Sequence, residues 1–131
     1  MNRYLFKAKR RDDGQWIKGT VLFHDVDAAT IFNQHPADGS LQGFEVDTST
    51  ICQCTGLKDK KGNLIWENDI VNCTDAECCG YISWNETEAG FYFNVLFEDG
   101  RFDEEHIYDY QDCMEVISNI FDNPELLERE G

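Results

Sequence analysis

The chain has 131 residues, room for one packed domain and short for two. Hydrophobic residues make up 41% of it and aromatic residues 13%, which supports a real core and excludes a disordered tail. Its 26 acidic and 11 basic residues give a formal charge of −15, and so acidic a field repels phosphate, which argues against nucleic-acid binding over the whole surface.

In chain order, residues 4–9 predict a first strand, Asp12-Asp13-Gly14 a tight turn, and residues 15–23 the returning strand, so that 4–23 form a hairpin. Residues 25–34 suit either a short helix or a strand, since Ala28, Ala29, Ile31 and Phe32 fit both. Residues 35–40, with Pro36 and Gly39, are a loop, and 44–54 are again extended. Residues 58–63 turn between two hydrophobic stretches, with Gly62 supplying a positive φ. Strands follow at 69–73, at 80–85 with alternating aromatic and polar residues, and at 91–97. The turn Glu98-Asp99-Gly100-Arg101 leads to a fourth. Short antiparallel strands at this spacing suit a small SH3-like barrel. A last strand covers 114–120. Asn123, Pro124 and Glu125 then start a helix at 124–130 that would lay Leu126 and Leu127 on the body. The expected fold class is mainly β (α+β), an N-terminal β-hairpin region plus a small SH3-like barrel and a short C-terminal helix. It forms a single domain, 1–131, with a strand-rich part at 1–55 and a barrel-like part at 56–131.

The charge is unevenly spread. Residues 1–18 sum to +4, residues 19–74 to −5 and residues 75–131 to −14. A basic start and an acidic end can attract within one fold or between subunits, and solvated strand faces are the plainer explanation. No apolar run approaches the roughly 20 residues of a membrane span, and Met1-Asn2-Arg3-Tyr4-Leu5 does not read as a signal peptide. A soluble, cytoplasmic protein is expected.

Without a secretory signal, the six cysteines (Cys52, Cys54, Cys73, Cys78, Cys79 and Cys113) read as reduced thiols. Cys52 and Cys54 would share a strand face, so a four-sulfur cage with Cys73 and Cys78 or Cys79 is conceivable. The spacing is not that of paired zinc ligands, and buried thiols acting as small hydrophobes are the simpler reading. Asp103-Glu104-Glu105-His106 cannot converge on a cation if it lies on a strand, because successive side chains alternate faces. A Cys78 or Cys79 nucleophile with a distant His106 as base has no local support. No nucleophile elbow, phosphate-binding glycine loop or His-Glu-x-x-His stands in the chain. No catalytic residue, metal or cofactor is expected, and the protein is read as no enzyme.

Residues 53–71, which run Gln53-Cys54-Thr55-Gly56-Leu57-Lys58-Asp59-Lys60-Lys61-Gly62-Asn63 and on through Glu67-Asn68-Asp69-Ile70-Val71, resemble the signature of the YopX family. That signature reads Gln-aromatic-Thr-Gly-Leu-Lys-Asp-Lys-Asn-Gly, then Glu-Gly-Asp-Ile-Val. The starting segment, 5–10 with 14–19, is similar to the family's N-terminal hairpin, and residues 115–127 resemble its end. Cys54 stands where an aromatic residue is usual, which marks a core position. Asn68 replaces a glycine, and asparagine also accepts a left-handed backbone. Ser118 stands where glycine is common. The resemblance implies a protein of phages and prophages, mainly β, self-associating, at work in a bacterial host cell. It implies no reaction.

Two function classes follow. One is a non-catalytic accessory protein that acts by binding a host or phage protein and by forming a homo-oligomer. Thr55, Gly56, Leu57, Asp59, Gly62 and Asp69 would then mainly specify turns. The other is an acidic DNA mimic that occupies the basic cleft of a nuclease or another DNA-binding defence protein. The candidate partner-binding residues are Glu98, Asp99, Asp103, Glu104, Glu105, Asp109 and Asp112, with Glu86 and Glu88 nearby in sequence. Direct nucleic-acid contact would have to run through Lys9, Arg10 and Arg11, against the overall charge.

Overall fold

The computed structural model describes residues 5–73 and 78–128. The chain divides into two compact units, Met1–Cys54 and Thr55–Gly131. The structure is mainly β, made of antiparallel sheets with a few 3-10 turns. Among the described residues no helix is long and apolar enough to cross a membrane.

The first unit is a meander of β1 (Phe6–Lys9), β2 (Trp16–Asp25), β3 (Ala28–Gln34) and β4 (Leu41–Val46). The sequence leaves residues 25–34 open between helix and strand. They form the tip of a hairpin and the strand after it, because Ala29 and Ile31 alternate into the core while β3 pairs on both sides. Ala8, Ala29, Ile31 and Val46 make that core, with Ile17, Val21 and Ile51 against it. Gly19 is required by close approach: a Cβ there would stand 2.2 Å from the Phe32 carbonyl oxygen. The far end of β4 returns to β1 through an Arg10–Val46 bridge, and Asp47 donates its amide to Lys9 O at 2.8 Å. One bridge curls the sheet without closing a barrel.

Residues 44–54 are not one extended run. The Asp47 carboxylate accepts from the Ser49 amide and hydroxyl, which starts a 3-10 turn at Thr48–Thr50 before β5 (Cys52–Lys58). Cys52 and Cys54 point the same way and are fully buried. Beside β1, β5 pairs Cys52 with Lys7 and Gln53 with Phe6. Within the second unit, β6 (Leu64–Trp66) lies next to residues 55–58.

The second unit carries β7 (Asp69–Cys73), β8 (Cys78–Asn85), β9 (Gly90–Leu96), β10 (Phe102–His106) and β11 (Met114–Asn119) in the antiparallel order β10-β9-β8-β7-β11. Ile65, Val71, Cys73, Ile82, Phe93, Val95, Ile107 and Met114 form its core. Here the expected SH3-like barrel is corrected. The five strands form an open sheet whose outer strands, β10 and β11, do not pair with each other. The helix expected at 124–130 is corrected too. Only Pro124–Leu127 is helical, as a single 3-10 turn, and residues 129–131 lie outside the described residues. Asn123 caps nothing, because its Oδ1 accepts from the Ser118 hydroxyl and its amide turns to Glu125. The helical share of the α+β expectation thus shrinks to short 3-10 turns among the described residues.

Candidate functional site

The motif residues of 55–69 are built into turns. Thr55 donates its hydroxyl to Ile65 O at 2.7 Å and accepts the Leu57 amide, which spans the β5–β6 hairpin. Gly56 and Gly62 have φ of 83° and 86°, conformations a side chain would strain. Leu57 lies at the margin of the core. The Asp59 carboxylate is buried and accepts three backbone amides, Lys61 at 2.9 Å, Asn63 at 2.8 Å and Val116 at 3.0 Å. Burial pushes its pKa up, but these amides outweigh it and hold the carboxyl below its ordinary range. One side chain so closes the turn and pins it to β11. Asp69 accepts the Trp66 amide at 2.8 Å, and Asn68 before it takes φ 70°, the left-handed conformation expected of it.

The acidic candidates fall into three groups. Glu98 and Asp99 occupy the β9–β10 turn, where Asp99 is bound by its neighbour Arg101 at 2.6 Å. On β10 the side chains alternate. Asp103 and Glu105 share the face of their partners Val95 and Phe93, and Glu104 shares the face of Asn94. Asp109 and Asp112 follow in 3-10 turns at Ile107–Asp109 and Gln111–Cys113. Tyr110 feels Glu105 and Asp109, which add to the upward push of burial on its pKa. The seven carboxylates therefore line an edge strand and its two ends rather than one flat surface.

Glu104 belongs to a constellation that residue counting did not find. The Asn85 amide donates to the Glu104 carboxylate, and its Oδ1 accepts the Glu88 amide at 3.0 Å. Asn85 thereby ties the β8–β9 turn to β10. On the same face Tyr92 packs against His106, and Tyr81 meets Phe102 edge-on, each pair with centroids 5.1 Å apart. Burial first, then the negative charges of Glu88 and Glu104, raise the pKa of the Tyr92 phenol. The period-two run Tyr81, Ser83, Asn85 was the available signal; the register needed to align it with Tyr92 and His106 was not.

The basic hairpin is occupied from within. The Arg10 guanidinium lies 4.5 Å from the Phe44 ring and reaches Asp12 at 2.8 Å and Asp13 at 3.5 Å. Arg11 donates to the Val46 and Asp27 carbonyls. Lys7 and Lys9 stand over Trp16 at 4.8 and 5.5 Å. A shallow cleft of about 360 Å³ beside Arg10, Arg11 and Phe44 also holds Asp12 and Glu45, so it is of mixed charge.

The thiols Cys73, Cys78 and Cys113 neighbour one another. Burial first, then those neighbours, drives the Cys73 pKa far above its usual value, the opposite of an activated nucleophile. Among the described residues no group of three or more His, Cys, Asp or Glu side chains is arranged to hold a metal ion. The family model described as YopX protein matches residues 5–128. No match to the chain was found among curated proteins.

Proposed function

This chain belongs to the YopX family, and we propose that it works without catalysis, as a phage or prophage accessory protein that binds a protein partner and associates with its own copies in the bacterial cytoplasm. One observation carries the reading: the second unit exposes rings beside carboxylates along its β10 edge. Phe97, Phe102 and Tyr108 are 42%, 42% and 75% exposed there. Rings so placed are the usual anchors of protein interfaces. DNA mimicry asks instead for carboxylates in a row on one surface, and Asp103 and Glu105 face away from Glu104.

The test pairs light scattering of the purified chain with affinity capture from nuclease-treated bacterial lysate. A Glu104→Gln, Glu105→Gln, Asp109→Asn variant is run alongside. A multimer together with a reproducible protein partner supports the reading. A chain that stays monomeric and retains no partner overturns it. A complex that the variant loses, and that salt weakens steeply, would turn the reading toward an acidic inhibitor.

A further inference from the structure

We propose that the face of β8–β10 opposite the core cluster docks an arginine side chain carried on a basic segment of a protein partner. The inference rests on the protein-binding reading and deepens it by stating the partner's chemistry.

The chain itself shows how it holds an arginine. Arg10 lies on the Phe44 ring between the carboxylates of Asp12 and Asp13. Arg101 stands 5.7 Å from the Phe97 ring while Asp99 binds it. In both places a ring supplies one side of the site and a carboxylate the charge. A third set of the same parts stands on the sheet face. Tyr92 and His106 are packed together, Glu104 shares their face, and Glu88 follows in the turn whose backbone Asn85 holds.

The parts are held in place before any partner arrives. Asn85 fixes Glu104 through its amide and the Glu88 backbone through its carbonyl. Tyr92 and His106 are cross-strand partners in the β9–β10 register. Three cations of the second unit are directed elsewhere: Lys61 pairs with Glu115 at 2.7 Å, Lys60 reaches the same carboxylate, and Arg101 stays with Asp99. Among the described residues, no lysine or arginine pairs with Glu88 or Glu104. Arginine suits the site better than lysine, because a planar guanidinium can lie on a ring while its edge donates to carboxylates at the margin. A half-buried Tyr92 ring beside the exposed His106, Glu104 and Glu88 is complementary to that group and repels phosphate or acidic segments.

The probe is a short blocked glycine–arginine peptide, compared with its lysine and citrulline counterparts, titrated into the full chain and followed by NMR. The arginine peptide should shift the ring resonances of Tyr92 and His106. The paired substitution Glu88→Gln, Glu104→Gln should weaken it about tenfold through loss of both ion pairs. Glu98→Gln with Asp103→Asn removes the same charge elsewhere and should change affinity less than about twofold. An unchanged spectrum outside the face confirms that the variants fold. Equal weakening by both variants, equal binding of the citrulline peptide, or no ring shift at millimolar peptide overturns the site. If a captured partner is retained equally by wild type and the Glu88/Glu104 variant, the site is overturned while protein binding stands. If the chain captures no partner and remains monomeric, the underlying reading falls instead.

Discussion

In the first unit four cations are committed to the fold, with Arg10 stacked on Phe44, Arg11 bound to two carbonyls, and Lys7 and Lys9 standing over Trp16. In the second unit the carboxylates of β10 and its flanking turns are mostly exposed, and among them Asp99 is held by Arg101. The sequence shows a basic start and an acidic end; the structure shows that Lys7, Lys9, Arg10 and Arg11 of the basic start are engaged within their own unit. Formal charge is therefore a weak guide to available charge, and the acidic end is the half that can still attract something.

Asp59 is the exception that tests this contrast, because it is a second-unit carboxylate consumed by structure. Asp59→Ala leaves three partly buried amides without their acceptor and should cost about 3 kcal/mol in urea unfolding, the largest effect expected here. Its folded pKa is depressed, so its contribution is fully present above the unfolded value and is lost as pH falls through the folded one. The stability gap between wild type and Asp59→Asn should accordingly shrink once pH drops below about 4. A gap that stays constant with pH would show that the carboxylate's charge is irrelevant.

Next in size, Arg10→Ala removes a stacked guanidinium and its packing on Phe44, and should cost about 1 kcal/mol by the same melts. A neutral outcome would place the first unit's cations with the idle surface charges. Glu104→Gln should leave the urea midpoint unchanged, since its carboxylate is exposed. A marked loss there would make Glu104 a structural residue and erase the contrast. Added sodium chloride should raise the thermal midpoint slightly, because it screens repulsion in a chain of charge −15. A fall with salt would mean that attractive pairs outweigh that repulsion.

Much of the strand pattern was legible because alternation and turn chemistry are local. The sequences around Gly14, Gly62 and Gly100 mark their turns, and all three glycines take positive φ. What failed depended on strand and side-chain partners that alternation does not encode. Barrel closure would need β10 to meet β11, and no local signal encodes whether two outer strands pair. The C-terminal helix failed because Ser118 captures the Asn123 oxygen that would have capped it. Asp47 did carry a readable signal in Asp-Thr-Ser, and it breaks the extended run at 44–54. For the candidate site, the carboxylates were visible in the sequence. Their division between two faces, and the tie of Asn85 to Glu104, required the β9–β10 register.

The two outer strands of the second sheet are guarded by different means, and this bears on how the protein would fail. On β11 a register shift between Val116 and Ser118 interrupts the ladder, a distortion independent of pH. On β10 the ladder is regular and three consecutive carboxylates stand along it. Charge as a guard lasts only while the carboxylates stay ionised. In acid, β10 would become a smooth template while β11 stayed irregular, so fibrillar growth would start from the β10 side.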